Sequence, residues 1–186
     1  MVKLSKIYTR GGDGGTSGLV DGSRASKSHL RFDAIGDVDE VNCAIGMARV
    51  VLNDGSDADR FLAGVQNDLF DLGADLATPG EIEGALRLAE GRTCALEAEI
   101  DVLSDTLGEL TSFVLPGGSE AAARLHVARA LTRRAERTIV KLNVDTPLNP
   151  EILKYINRLS DFLFQLARAE NDQGAADVLW KPGGDR

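Results

Sequence analysis

Residues 119–141 read SEAAARLHVARALTRRAERTIVK, and the spacing of their side chains predicts a long helix with two different faces. Apolar and small side chains recur every three or four residues on one face, which is the pattern of a core stripe. This core stripe continues to Leu142, the residue directly after the quoted segment. It consists of Leu125, Ala128, Thr132, Ala135, Ile139 and Leu142. A second face carries a histidine and three arginines at the same spacing, namely His126, Arg129, Arg133 and Arg137.

The row of cations formed by Arg129, Arg133 and Arg137 has two interpretations. It is either a solvated basic surface or a site arranged to hold an anion. Like charges at this spacing destabilise a helix by about 0.2–0.5 kcal/mol per pair. Arg124 and Arg134 lie close by and add to the positive charge, whereas the whole chain has a net charge of −8. Such a local concentration of cations in an acidic chain favours the anion site.

The composition indicates an ordinary globular protein. The chain has 186 residues, 43% of them apolar and 27% charged, which suits a single domain spanning residues 1–186. The negative net charge argues against binding of nucleic acids or anionic membranes, because both require a broad positive field. No apolar run approaches the length of about 20 residues that spans a bilayer. The N-terminus also lacks the apolar core of a secretory signal, so we expect a cytoplasmic protein.

The two cysteines give no sign of a metal centre. Cys43 and Cys94 are far apart, and neither belongs to a CxxC or Cys/His pattern. No set of metal ligands is therefore predicted. We expect both cysteines to be buried or half-buried thiols in a reducing compartment.

Residues 1–33 are predicted to be non-helical and rich in glycine. The stretch TRGGDGGTSGLVDGS begins at Thr9, and Lys27 follows it. Glycines leave backbone N–H groups accessible and permit positive φ, and both properties help a loop to wrap a phosphate. Neither the Walker pattern nor the dinucleotide-binding fingerprint is present. A disordered arm and a phosphate loop closed by Lys27 therefore both remain open at this point.

The periodicity predicts an all-α bundle of five helices in residues 34–171. The predicted helices cover residues 35–52, 59–77, 93–107, 119–141 and 150–171, and no strand is expected. We expect the glycine-rich N-terminal segment to lie across this bundle. Ser119 is a plausible N-cap of the fourth helix, because it follows the turn at Pro116. The tail, residues 172–186, is expected to fray, with Trp180 as its one large apolar residue.

Polyphosphate binding is the chemistry that these residues favour. His29 lies in a polar segment, His126 is as suited to packing as to catalysis, and no Ser-His-Asp arrangement is apparent. Arginines and glycine-rich backbone together suit phosphate oxygens. Several polar side chains are candidates to pair with the arginines or to extend the site: Asp39, Glu40, Glu136, Asn157 and Asp161.

Several segments together resemble the PduO-type ATP:cob(I)alamin adenosyltransferases. They are KIYTRGGDGGTS, Lys27, AIGDVDEVN, FVLPGGSEAAARLHVARALTRRAER and INRLSDFLF, and the similarity extends from residue 6 to about residue 171. The pairing of FVLPGG with HVARALTRRAER is the specific element. The resemblance implies a five-helix bundle that forms a homotrimer with active sites between subunits. It also implies transfer of the 5′-deoxyadenosyl group of MgATP to the cobalt of cob(I)alamin, with release of triphosphate.

The resemblance also implies a set of site residues. The ATP loop would consist of Thr9, Arg10, Gly11, Gly12, Ser17, Gly18 and Lys27. The remaining ATP contacts would be Arg133, Arg134, Ala135, Glu136, Arg137 and Asn157, with Arg133 on the polyphosphate. Asp39 and Arg129 match an ion pair between subunits. Phe113 matches an aromatic residue that occupies the lower face of the corrin and displaces its axial ligand.

Three alternatives remain at the level of sequence. The chain is an enzyme assisted by a reductase and serving an adenosylcobalamin-dependent enzyme, an ATP-binding helical oligomer that senses nucleotide without turnover, or a purely structural bundle. Without the resemblance, Phe113 could equally be a core aromatic that anchors the turn before Pro116. Some relatives cover the corrin with a further aromatic residue in the tail. Here Trp180 is the last aromatic, so the role of the tail is open.

Overall fold

Five helices and one short hairpin make up the regular structure of residues 7–184, the part of the chain that the computed structural model describes. Residues 1–6 and 185–186 lie outside the described part, so the structure does not test the predictions that concern them, such as the start of the family resemblance at residue 6 and the end of the tail. The elements are β1 Thr16–Gly18, β2 Arg24–Ser26, α1 Leu30–Arg49, α2 Asp57–Leu76, α3 Arg92–Ser104, α4 Glu120–Asp145 and α5 Pro150–Ala169. The all-α five-helix prediction is confirmed.

The helices begin where side chains can satisfy their first backbone N–H groups. Ser119 accepts a hydrogen bond from the backbone N–H of Ala122 at 3.0 Å, which makes it the N-cap of α4 as predicted. Asn149 caps α5 in the same way, with Pro150 in the first turn. The first helix begins at Leu30 instead of residue 35, because His29 Nδ1 accepts a hydrogen bond from the N–H of Arg31.

The fourth helix lies between α1 and α5 and runs antiparallel to both. Residues near its C-terminal half face the start of α1, since Arg134 forms an ion pair with Asp37, while Arg124 near its start bonds to the Met47 carbonyl. On the α5 side, Asn157 donates a hydrogen bond to Glu136. The predicted core stripe of α4 is confirmed, because all six of its residues are buried.

The N-terminal segment contains two strands, so the expectation of no strand was wrong. β1 and β2 pair antiparallel, with Thr16 opposite Ser26. The strands are three residues long, which is too short to leave an alternating pattern in the sequence. The hairpin is attached to the end of α2, where the Val20 N–H donates to the Ala77 carbonyl at 3.0 Å.

The tail does not fray after residue 171, and that expectation was wrong as well. Its residues 178–180 run antiparallel to residues 113–115, with Val114 bridged to Leu179. The Leu115 N–H donates to the Val178 carbonyl, and the Trp180 N–H donates to the Phe113 carbonyl, each at 2.7 Å. The pairing partner lies far away in sequence, so no local pattern announces it.

Cys43 and Cys94 are exposed, which corrects the expectation of buried thiols. Both lie on helix faces that point away from the core of this chain. Among residues 7–184, no helix is long and apolar enough to cross a membrane.

Candidate active site

The glycine-rich segment folds back on itself and lies against the side chains of two cations, Lys27 and Arg24. The Lys27 N–H donates to the Gly15 carbonyl at 2.8 Å, and a Cβ placed on Gly12 would lie only 2.8 Å from Lys27 Nζ. Glycine at position 12 therefore lets the ammonium group approach the backbone. Lys27 folds back over the loop, which is the arrangement that the phosphate-loop interpretation expects.

Arg24 is a second cation of this loop, and the sequence reasoning missed it. Its guanidinium donates to the Gly11 carbonyl at 2.5 Å and to Thr16 Oγ1 at 3.0 Å. Because these bonds join the loop to the hairpin, Arg24 acts as a brace. Arg24 lies in β2, opposite Gly18 of β1. This proximity to the loop can be predicted only once the hairpin is known.

The other predicted loop residues lie at the surface around this brace. Thr9 Oγ1 accepts from the Gly11 N–H at 3.4 Å, and Arg10 adopts φ of 62°. Positive φ at a non-glycine residue indicates a tight turn. Ser17 and Gly18 belong to β1, so the hairpin fixes their backbone.

Two arginines of the α4 row, Arg129 and Arg133, line a cavity of about 660 Å³, here called the arginine cavity. It is bounded by α3, α4 and α5, and its charged lining consists of Arg129, Arg133 and Arg158 together with Glu97, Asp101 and Asp161. Arg158 is neutralised by Glu97 and Asp161, each at 3.0 Å. Arg133 and Arg129 form no such ion pair within the described chain, so their charge is available to a ligand or to another subunit.

Arg129 is held in an unusual environment for a cation. Its Nε is buried and has no hydrogen-bond partner among residues 7–184. Burial lowers the pKa of Arg129, and the neighbouring charge of Arg133 lowers it further. The guanidinium nevertheless remains protonated. An anionic partner next to Arg129 would therefore stabilise its charge.

His126 belongs to the packing of the bundle, although it shares the helical spacing of the arginines. It is 2% exposed, and its ring lies 6.3 Å from that of Phe164. Burial lowers its pKa, and Arg129 acts in the same direction. The imidazole is therefore neutral at pH 7, and neither ring nitrogen has a partner among the described residues.

The remaining predicted residues of α4 take different positions. Arg134 turns toward α1 and is paired with Asp37 and Glu40, as expected for Glu40. Ala135 is fully buried in the core stripe, which rules out a contact of its methyl group with a ligand. Arg137 is exposed, and its guanidinium donates to the Arg133 carbonyl at 2.8 Å.

The polar pair of Glu136 and Asn157 continues this surface toward the N-terminus of α5. The Asn157 amide donates to Glu136 at 2.8 Å, and both residues line a cavity of about 430 Å³. The buried hydroxyl of Thr93, which also lines this cavity, has no partner among the described residues. Polar groups with unused hydrogen-bonding capacity suit a ligand with several donors and acceptors.

Phe113 borders an apolar cavity beside the arginine cavity. This second cavity, here called the Phe113 cavity, measures about 570 Å³ and is lined by residues 110–114 with Arg129 and Phe164. The Phe113 side chain is 77% exposed. The alternative of a core aromatic is therefore wrong.

Asp39 lies apart from these cavities in a single chain. It is exposed on α1 and borders an apolar cavity of about 450 Å³ between α1 and α2, together with Phe70. It forms no ion pair with Arg129 within the described residues. The N-terminal loop is separate too, since residues 9–27 make no hydrogen bond or ion pair with Arg133, Arg137 or Asn157 among residues 7–184.

The fold and these surfaces define a class of protein. It is a helical bundle in which a cavity lined by two arginines without an ion pair among residues 7–184, Arg129 and Arg133, lies beside an apolar cavity. A glycine-rich loop braced by Arg24 lies at one end. Such surfaces suit a polyphosphate and a large, partly apolar ligand.

The chain belongs to the cobalamin adenosyltransferase family, whose sequence model matches residues 7–170. It is 47% identical over 190 residues to the corrinoid adenosyltransferase of Mycobacterium tuberculosis, covering 100% of this chain and 97% of the relative. The corrinoid adenosyltransferase of Bacillus subtilis is 42% identical over 180 residues, covering 95% of this chain and 92% of the relative. The similarity therefore covers nearly the full length of these two relatives.

Solved structures give the same family. A phenylalanine-to-alanine variant of the PduO-type ATP:corrinoid adenosyltransferase from Lactobacillus reuteri, complexed with cobalamin and ATP, superposes with a TM-score of 0.88. It is 38% identical, and the match covers 95% of this chain and 99% of that chain. An arginine-to-lysine variant of the same enzyme, complexed with ATP, gives a TM-score of 0.86 at 38% identity, covering 94% of this chain and 100% of that chain.

Proposed function

We propose that this protein is an ATP:cob(I)alamin adenosyltransferase, which transfers the 5′-deoxyadenosyl group of MgATP to the cobalt of cob(I)alamin and releases triphosphate. The observation that carries this proposal is the contact between the two cavities: Arg129 and Phe164 line both of them. A polyphosphate in the arginine cavity would then lie beside a corrin at Phe113. Family membership and the neighbours complexed with cobalamin and ATP support the same reaction.

The reaction requires little acid–base chemistry from the protein. The electron pair of Co(I) attacks the C5′ carbon of the ribose and forms the cobalt–carbon bond. The C5′–O bond breaks, and its electrons leave with the triphosphate. No protein base has to remove a proton, which agrees with a chain whose buried histidine is neutral. The remaining tasks are to align cobalt with C5′ and to stabilise the leaving charge.

The arginine row and the glycine-rich loop stabilise the negative charge that develops on the leaving triphosphate. Arg133 contacts the polyphosphate, and Arg137 extends the positive surface along the same helix. Lys27 and the N–H group of Gly12 hold phosphate oxygens from the other side, while Asn157 and Glu136 bind polar groups of the nucleoside. Charge-assisted bonds of this kind are about twice as strong as neutral ones.

Phe113 acts on the cobalt through the lower face of the corrin. Its exposed ring occupies the space of the axial ligand and keeps that ligand away from Co(II). A cobalt ion without this donor is easier to reduce to Co(I). The protein thus controls the environment of the metal, while the corrinoid supplies the reactivity.

The active form is a homotrimer with each site between two subunits. Three observations support this arrangement. Among residues 7–184, the loop and the arginine row make no hydrogen bond or ion pair with each other, and Arg129 has no anionic partner. Asp39 is exposed beside an apolar surface. The Phe70 ring on this surface is 72% exposed. Asp39 of one subunit would neutralise Arg129 of the next.

The cell supplies the remaining components. We infer a cytoplasmic enzyme, a reductase that delivers electrons to cob(II)alamin, and an adenosylcobalamin-dependent enzyme that receives the product. The reaction produces a light-sensitive cobalt–carbon bond, so direct delivery to the receiving enzyme would protect it.

Labelled ATP tests the reaction type. With ATP carrying ¹⁴C in the adenosine and ³²P in the γ-phosphate, we expect ¹⁴C in the corrinoid and ³²P in free triphosphate, in equal amounts. Incorporation of ³²P into the corrinoid, or release of orthophosphate without ¹⁴C transfer, would contradict the proposal.

A further inference from the structure

The tail of the chain reaches the loop that carries Phe113. Besides the two backbone bonds already described, Ser112 Oγ donates to the Trp180 carbonyl at 2.7 Å. The rings of Phe113 and Trp180 lie 5.9 Å apart at an interplanar angle of 60°. This distance and tilt are typical of a favourable aromatic pair. Trp180 is therefore an immediate neighbour of the side chain assigned to the corrin.

A buried ion pair holds the tail in this place. Arg168 at the end of α5 contacts Asp177 at 2.9 Å, and the two side chains are only 6% and 3% exposed. The same guanidinium donates to the Gly108 carbonyl at 2.8 Å, at the other end of the loop. One cation thus joins α5, the tail and the loop.

Asn171 completes the cluster and is itself 1% exposed. Its amide oxygen accepts from the Ser119 N–H at 2.9 Å, and its amide nitrogen contacts the Gly117 carbonyl and Asp177 at 3.2 and 3.3 Å. Both ends of the loop, residues 108–118, are therefore tied to the same buried cluster.

Phe113 has few other restraints. Its side chain is mostly exposed, and residues 108–113 form no helix or named strand. A ring with so little packing around it would sample several rotamers. The ring contact with Trp180 restricts that freedom, and the backbone bonds to the tail keep Trp180 beside the ring. The paired tail residues, 178–180, directly follow Asp177, which the buried cluster holds.

We propose that Asp177, through its ion pair with Arg168, and Trp180 position Phe113 for its action on the corrin. They are positioning residues, since they act through Phe113 and not on cobalt. The inference rests on the proposed function, because it assumes that Phe113 displaces the axial ligand. Pre-organising the ring in this way would lower the conformational-entropy cost of fixing its rotamer when the corrin binds.

The tail contact can be measured without any substrate, because Trp180 is the one tryptophan of the chain. We expect Asp177→Asn to leave the folded protein with red-shifted tryptophan emission and stronger acrylamide quenching, since the tail loses its anchor. Asp59→Asn is the matched control, because Asp59 pairs with Arg49 at 2.7 Å between α1 and α2, away from the tail. Equal emission and quenching in the wild type and both variants would overturn the anchoring role of Asp177.

The effect on cobalt is measured by electron paramagnetic resonance of cob(II)alamin bound with ATP. We expect Trp180→Ala to lower the ratio of four-coordinate to five-coordinate Co(II) about two- to tenfold, the range that loss of one aromatic pair predicts. Trp180 is partly exposed at the surface, so this variant should fold even if Asp177→Asn does not. In a Phe113→Ala background, adding Trp180→Ala should cause no further loss.

The outcomes separate the two proposals. An unchanged four-coordinate fraction in Trp180→Ala, or an equal loss with and without Phe113, would overturn the positioning role alone. Absence of the four-coordinate species in the wild type would remove the role of Phe113 itself, and the positioning proposal would fall with it. In that case, adenosyl transfer from labelled ATP would still test the reaction independently.

Discussion

Arg129 and Phe164 stand between the arginine cavity and the Phe113 cavity, because both side chains line both spaces. One contributes a half-buried charge from α4 and the other an aromatic face from α5. A ligand in one cavity is therefore separated from a ligand in the other by single side chains. This adjacency is what a transfer between a polyphosphate nucleotide and a bulky second substrate requires.

Replacing Arg133 should impair the use of ATP. Each charge-assisted contact to phosphate contributes about 1.5–3 kcal/mol, so we expect Arg133→Ala to lower kcat/KM for ATP by about 10- to 150-fold. The measurement is steady-state adenosylation over a range of ATP concentrations. Arg60→Ala removes an exposed cation elsewhere and should leave kcat/KM near the wild-type value. Near-normal turnover of Arg133→Ala would remove this residue from the site.

Asp39 and Arg129 should be coupled. Removing one partner of a buried ion pair strands the other and costs roughly 3–5 kcal/mol, so each single alanine variant should lose assembly or activity. We expect the double variant to be clearly less than additive in sedimentation and activity measurements. Strict additivity would refute the pair.

Mixed oligomers test whether this pair joins different subunits. When Asp39→Ala and Arg129→Ala proteins are unfolded together and refolded, some interfaces contain the intact Asp39 of one subunit and the intact Arg129 of the next. We expect these mixtures to regain part of the activity that neither variant shows alone. No recovery, despite confirmed mixing of subunits, would place the pair within one chain or nowhere.

Truncating Phe113 should separate stability from activity. The side chain is 77% exposed, so Phe113→Ala should change the melting temperature far less than a core truncation, which costs about 3–5 kcal/mol. We expect the variant to bind ATP but to adenosylate poorly when supplied with cob(II)alamin and a reductant. Pre-reduced cob(I)alamin should restore part of the rate. A large fall in melting temperature with an unchanged cobalt spectrum would contradict this account.

His126 should make the fold sensitive to mild acid. Burial lowers the pKa of His126 below the usual histidine value of about 6.5, with a smaller effect of Arg129, while Asp177 acts in the opposite direction. The unfolded chain therefore binds the proton more readily, so the stabilising effect is complete above about pH 6.5 and is lost as the pH falls toward the lowered pKa.

Chemical denaturation at several pH values between 5 and 7 measures this effect. We expect the free energy of unfolding of the wild type to decrease with falling pH by at most about 1.4 kcal/mol per unit for this single group. His126→Leu removes the titrating ring and should flatten the profile in this window. Equal slopes in the two proteins would show that His126 is not the group responsible.

The long helices were predictable because burial repeats along them at helical spacing. The fourth helix is the best case, since its stripe from Leu125 to Leu142 is buried as expected. The predicted ends of the helices were less accurate than the predicted core stripes. His29 caps α1 with a ring nitrogen, a residue that ordinary capping patterns do not favour.

The parts of the candidate site that were missed depend on long-range contacts. Arg24 acquires its role only through the hairpin, and Trp180 only through pairing with a loop far away in sequence. The spacing of α4 also placed His126 with the arginines, whereas the turn of the helix carries it into the core. Local patterns record periodicity, but they do not record which segments meet.

The most direct test of the proposed reaction is anaerobic incubation of the protein with MgATP and chemically reduced cob(I)alamin, followed by absorption spectroscopy. We predict that the Co(I) spectrum is replaced by that of a light-sensitive cobalt–carbon bond, with one triphosphate released per corrinoid converted. Stabilisation by ATP without any new cobalt spectrum would instead indicate a nucleotide sensor. A Co(I) spectrum unchanged by ATP, with no effect of ATP on stability, would indicate a structural bundle, and either result would contradict adenosyl transfer.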